Sequence, residues 1–164
     1  MKKVAVIMGS DSDLPIVEKG IQCLKDYGVP TEVHVYSAHR TPEEAAAFSR
    51  NARSNGFGVI IAAAGMAAHL AGAIAANTTL PVIGIPCESK VLEGMDALLS
   101  TVMMPPGIPV AAVGINTAKN AALLAIEILA VTDEVLAEKL ARDRAENHEK
   151  ILQKNQAIEE KYNS

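Results

Sequence analysis

Short, wholly apolar runs alternating with longer amphipathic ones predict an α/β protein: a parallel sheet covered by helices on both faces. Two further observations agree. The chain has 164 residues, the size of one ordinary domain with room for a substantial core. Its 49% hydrophobic content includes only 3% aromatics and no Trp. Alanine and glycine therefore fill much of the interior, which implies close backbone packing.

Each element has its own signal. Val4-Ala5-Val6-Ile7-Met8 is a continuous run rich in β-branched residues that ends at Gly9, and it predicts the first strand. Ile16, Val17, Ile21 and Leu24 recur at helical spacing and predict a helix over 14–27, stopped by Gly28 and Pro30. Thr31 to Tyr36 alternates, as an edge strand does. Thr41 as N-cap and Pro42 as first helical residue open a helix reaching about Asn55. Val59 to Ala63 is a third strand, 66–77 an Ala-rich helix and Pro81 to Ile85 a fourth strand. A short helix over 93–102, a fifth strand from Pro109 to Gly114 and a helix from Ala118 to Val131 complete the pattern.

Five βα units in this length fit a flavodoxin-like, doubly wound sandwich with a five-stranded parallel sheet. From Thr132 the composition becomes charged. Thr132 or Asp133 can cap a last long helix to about Tyr162, whose apolar stripe is only Leu136, Leu140, Ile151, Leu152 and Ile158. Residues 1–131 are read as the catalytic domain and 132–164 as its helical extension. That helix is either a solvated terminus or one that packs on a neighbouring subunit.

Charge and composition exclude several classes. A formal charge of −4 gives no basic field for a nucleic-acid backbone, and few aromatics leave no stacking platform for single strands. Cys23 and Cys87 are too few for a metal cluster or disulfide framework, and the histidines lack metal-ligand spacing. The apolar run before Gly9 is too short for a signal-peptide core, and no run reaches membrane-spanning length. The expectation is a soluble, cytoplasmic protein with no membrane, nucleic-acid or metal partner.

In an open α/β sheet the ligand sits beyond the carboxyl ends of the strands. There the sequence places Gly9-Ser10-Asp11-Ser12-Asp13, Ser37-Ala38-His39-Arg40-Thr41, Ala64-Gly65 with the loop to His69, Glu88-Ser89-Lys90 and Asn116 to Asn120. The first loop suits a phosphate, with Ser10 and Ser12 as donors and Asp13 as an acceptor for sugar hydroxyls; equally, these residues cap the following helix. Arg40 offers a planar fork for phosphate or carboxylate and His39 a proton carrier near neutral pH, unless the pair is only an exposed turn. His69, in a run of Ala and Gly, is a structural histidine or a wall of the site.

Other readings of the fold fail on particular residues. Neither a dinucleotide-binding glycine motif nor a P-loop is present. A receiver-like domain would use Asp11, Asp13 and Lys119, but the third strand ends without an acceptor Asp. The rim lacks the aromatics that flank a flavin ring.

Taken together, the loops resemble class I N5-carboxyaminoimidazole ribonucleotide mutases, a branch of the aminoimidazole ribonucleotide carboxylase family of purine biosynthesis. The resemblance rests on Met8-Gly9-Ser10-Asp11-Ser12-Asp13, Ser37-Ala38-His39-Arg40-Thr41-Pro42, Ala67-Ala68-His69-Leu70, Leu80 to Pro86, Met104 to Val110 and Asn120 to Ala125. It covers roughly residues 3–131 in order. What it implies is a carboxyl shift on a ribonucleotide without ATP, metal or organic cofactor, with His39 as acid and then base. It further implies Ser10, Ser12, Ser37 and Arg40 on the phosphate, Asp13 on the ribose, Ala64, Gly65 and His69 around the base, and a homo-octamer.

Some positions depart from the family pattern. Ala63 and Met66 replace glycines, Ala71 a proline and Cys87-Glu88 a common Val-Gln, while the segment 115–119 is slightly short. The related class II carboxylases, which use CO₂ directly, typically carry Lys after the second-loop His and lack Ala-Ala-His-Leu, so Arg40 and His69 favour the mutase. A non-catalytic nucleotide-binding module on the same fold is the third alternative, and His39 discriminates against it.

Overall fold

A computed structural model describes residues 1–163. The strands β1 (Lys3–Met8), β2 (Thr31–Val35), β3 (Phe57–Gly65), β4 (Val82–Cys87) and β5 (Ala111–Ala112) form one sheet in the order β2-β1-β3-β4-β5. All four pairings are parallel. The helices are α1 (Leu14–Asp26), α2 (Pro42–Asn51), α3 (Leu70–Ala75), α4 (Met95–Val102), α5 (Ala118–Ala130) and α6 (Glu134–Tyr162). This is the doubly wound sandwich that the sequence pattern predicts, with β2 at an edge as its alternation implies.

Strand periodicity separates two cores. On β1, Val4, Val6 and Met8 face Val17, Ile21 and Leu24 of α1 and Ala121, Ala122, Ala125 and Ile126 of α5. Ala5 and Ile7 face the other way, onto Ala45 of α2 and Leu70, Ala71 and Ile74 of α3. Each fully buried aliphatic side chain contributes about 1.5–3 kcal/mol. Small residues set the distances: a Cβ added at Gly20 of α1 would stand 2.6 Å from the Ala118 carbonyl oxygen of α5. Only glycine allows α1 and α5 to meet there.

Three expected elements come out shorter. The Ala-rich 66–77 stretch is helical only over Leu70–Ala75, because Met66 is left-handed at φ 55° and tight turns follow. The Ala68 amide bonds to the Met66 carbonyl at 2.9 Å and the His69 amide to the Ala67 carbonyl at 2.8 Å, so helical bonds cannot start. In the fifth strand only Ala111–Ala112 pairs, since Pro105, Pro106 and Pro109 lock φ and lack the amide donors a ladder needs. Helix α2 ends at Asn51 rather than near Asn55.

Helix α6 starts where its cap is strongest. The Asp133 side chain accepts from the Leu136 amide at 3.1 Å, Leu136 is fully buried against α5, and Leu140 packs beside it. Beyond that the helix runs with Ile151, Leu152, Ile158 and Tyr162 exposed. Among the described residues no helix is long and apolar enough to cross a membrane.

Candidate active site

The chain steps from β1 outward to β2 and then back across to β3, so the crevice at their carboxyl ends is a topological switch point. A cavity of about 470 Å³ opens there, within the ordinary range for small-molecule sites. The loops after β1, β2, β3 and β4 line it, and every residue singled out for the site on sequence grounds borders it: Ser10, Ser12 and Asp13; Ser37, His39 and Arg40; Ala64, Gly65 and His69.

Local bonding fixes the first two loops. Ser10 Oγ accepts from the Ser12 hydroxyl at 2.9 Å and from the Ser12 amide at 3.3 Å, capping the single 3-10 turn of Asp11–Asp13 that leads into α1. The capping and the ligand-facing readings of Ser10 therefore coexist. In the second loop Ser37 Oγ accepts from the amides of His39 (3.3 Å) and Arg40 (3.2 Å). Thr41 makes no side-chain bond to its helix; its hydroxyl accepts from the Ser37 amide at 2.8 Å and closes the loop. Arg40 Nη2 donates to the Gly9 carbonyl at 2.9 Å and ties the two loops together.

The third loop supplies a contact that no linear motif announces. His39 Nε2 and His69 Nδ1 lie 2.7 Å apart, with the rings edge-on at 4.9 Å between centroids. One ring donates and the other accepts, so the pair holds a proton between them and fixes both orientations. His69 is thus the direct partner of His39 as well as a wall of the cavity.

Charge is graded across the site. Burial pushes the Asp13 carboxyl above the ordinary carboxylate value, against the opposing pull of the Ser10 backbone and the Arg40 guanidinium. Cys87 is buried behind the cavity, and its thiol is pushed up to about 12, chiefly by burial and then by Asp13. It is a packing residue and no nucleophile at neutral pH. Guanidinium, hydroxyls and a helix N-terminus make the β1–β2 side an anion cradle, and the histidine pair stands next to it.

Sequence reasoning left Met66 and Glu88 outside the set, although both border the cavity. Their departure from the family pattern was the available signal. Lys119 faces away, into a groove between α1, α5 and α6 beside Cys23 and Asp143. His34 packs between Tyr36 and Phe48 at the sheet edge, and His148 lies on exposed α6. A larger cleft of about 850 Å³ at the amino end of the sheet has, among the described residues, Arg50 and Arg53 as its only charged side chains.

Comparison with known proteins gives a consistent result. The AIR carboxylase family model matches residues 3–150. An N5-carboxyaminoimidazole ribonucleotide mutase of Pyrococcus abyssi is 56% identical over 88% of this chain and 83% of its own. The enzyme of the same description from Methanocaldococcus jannaschii is 50% identical over 97% of this chain and 99% of its own. Among solved structures, Treponema denticola PurE superposes with a TM-score of 0.87 at 29% identity, covering 94% of this chain and 97% of that one.

Proposed function

The chain belongs to the AIR carboxylase family, and from that membership and the geometry of its cavity we infer that it acts as an N5-carboxyaminoimidazole ribonucleotide mutase in purine biosynthesis. The reaction moves a carboxylate from the exocyclic nitrogen of an aminoimidazole ribonucleotide to ring carbon C4, without ATP or an organic cofactor. The observation that carries this reading is the His39–His69 contact beside the cradle of Arg40, Ser10 and Ser37.

Arg40, with Ser10, Ser12 and Ser37, holds the 5′-phosphate, and Asp13 accepts from the ribose. These contacts lie away from the reacting atoms and set the position of the base. Protonated His39 gives its proton to the exocyclic nitrogen. The carbon–nitrogen bond breaks with its electrons left on nitrogen, releasing CO₂ and an amine. C4 then attacks the CO₂, and neutral His39 removes the C4 proton to restore the aromatic ring. One residue working as acid and then base needs both protonation states close in energy at working pH. His69 orients the ring and leaves His39 its other nitrogen for substrate. The apolar wall of Ala64, Gly65 and Leu70 keeps CO₂ away from water.

The same reading includes a cytoplasmic homo-octamer, with 1–131 as the catalytic domain and 132–164 as an extension onto a neighbouring subunit. Supporting it are the exposed Val91, Leu92, Met95, Leu99 and Met103 on and around α4 and the bare stripe of α6. An ATP-free assay tests the function. The N-carboxylated ribonucleotide should be converted to the C4-carboxylate faster than it decarboxylates spontaneously. Turnover only from aminoimidazole ribonucleotide with bicarbonate would instead make the protein a direct carboxylase.

A further inference from the structure

Among the described residues, Glu88 is the one carboxylate that borders the cavity from the side opposite Arg40. It is held from two directions. Its Oε2 accepts from Asn116 Nδ2 at 2.8 Å, and its own amide donates to Asn116 Oδ1 at 2.9 Å. Asn116 in turn stands in the left-handed region at φ 59°, and its amide bonds to the Pro86 carbonyl at 2.9 Å. The neighbouring Ser89 hydroxyl reaches Asp96 of α4 at 3.3 Å. An exposed glutamate pays rotamer entropy to be held this way, and this clasp leaves Oε1 free of any hydrogen bond among the described residues.

Strand order says what that oxygen meets. The cavity runs from the β2 and β1 loops, which carry the anion cradle, past the histidine pair to the β4 loop. A ribonucleotide with its phosphate in the cradle and its reacting edge at His39 presents the far side of that edge to Glu88. The only strong donor a substrate of this class carries there is the exocyclic N–H. We propose that Glu88 is a recognition residue whose carboxylate accepts a hydrogen bond from the exocyclic nitrogen, and that Asn116 is the residue positioning it. The inference rests on the ribonucleotide reading above.

The bond also changes during the reaction. When His39 delivers its proton, the exocyclic nitrogen gains a second N–H and positive charge, and a facing carboxylate then binds it more strongly than in the ground state. Glu88 therefore acts on kcat as well as on binding.

Calorimetric titration with aminoimidazole ribonucleotide and with imidazole ribonucleotide, which lacks the exocyclic amine, tests this directly. Wild type should prefer the amino compound by about tenfold or more, the scale of one hydrogen bond to a charged group. Glu88→Ala should abolish the preference while leaving affinity for the des-amino compound within about twofold. Asn116→Ala should erode the preference in the same direction, and Glu88→Gln, whose amide oxygen still accepts, should keep most of it with a lowered kcat. Equal weakening of both ligands by Glu88→Ala, or of neither, overturns the proposal. Failure of wild type to bind either nucleotide overturns the ribonucleotide reading itself, and this one with it.

Discussion

The two ends of the sheet handle the same backbone problem differently. Turns at the amino end that need positive φ use glycine: Gly28 (φ 76°), Gly56 (φ 86°) and Gly107 (φ 97°). At the carboxyl end the positions are occupied by Met66 (φ 55°), Glu93 (φ 53°) and Asn116 (φ 59°), with Gly94 the one glycine among them. A side chain in the left-handed region costs about 1–2 kcal/mol relative to its relaxed state, and such strain persists where the surroundings impose it. The amino end has the larger cleft, yet its Arg50 and Arg53 are already engaged with Asn77 and Thr79. Strain and convergent polar groups, rather than cavity size, distinguish the end that does chemistry.

The largest expected effect tests that distinction at its centre. His39→Asn removes one imidazole of the pair that holds a proton in the cavity, the one placed beside the anion cradle. It should lower kcat by about 10²–10⁴-fold, the usual yield of general acid–base catalysis. Nucleotide affinity should change little, because the phosphate cradle is intact. Steady-state kinetics with a binding titration check this; a kcat within a few-fold of wild type would remove His39 from the proton transfers.

Asp13 gives a smaller effect of opposite sign for stability. Its folded-state carboxyl sits above the ordinary value of 3.8, chiefly through burial, so the ionised group costs stability at neutral pH. That cost is complete above the raised value and disappears as pH falls to the ordinary one. Asp13→Asn should therefore raise Tm at pH 7, with the gain shrinking to nothing near pH 4, while weakening nucleotide binding. Melting curves across that range decide it. A lower Tm at neutral pH would show that the carboxylate stabilises the first loop.

Much of this was legible because it follows from period and strand direction. The apolar runs of β1, β3 and β4 and the polar residues just beyond them are enough to put the candidate side chains around one cavity. What was not legible depends on contacts between distant loops. Nothing in the spacing of His39 and His69 shows that their rings meet, since a half-turn at Gly65–Ala68 decides it. The alanines of that segment favour helix, and the left-handed Met66 overrides them. Glu88 is a rim charge in the sequence, and only the fold brings Asn116, from another loop, to hold it. The proline-rich approach to β5 was a warning that only Ala111 and Ala112 heed.

The finest test exchanges the two solutions to positive φ. Met66→Gly relieves the left-handed strain, worth about 1–2 kcal/mol, but adds about 0.5–1 kcal/mol of backbone entropy to the unfolded chain. The net should be a gain of up to about 1.5 kcal/mol. Gly107→Ala at the opposite end meets no neighbouring atom within 4 Å, so sterics do not oppose it and only the backbone does. Strain less the unfolded-chain entropy that alanine removes should cost it up to about 1.5 kcal/mol with kcat/KM unchanged, whereas Met66→Gly should alter kcat/KM because Met66 borders the cavity. Urea denaturation and kinetics on both variants measure the two quantities separately. If Met66→Gly destabilises the protein instead, the Met66 side chain makes contacts worth more than the strain it imposes, and strain would no longer mark the catalytic end.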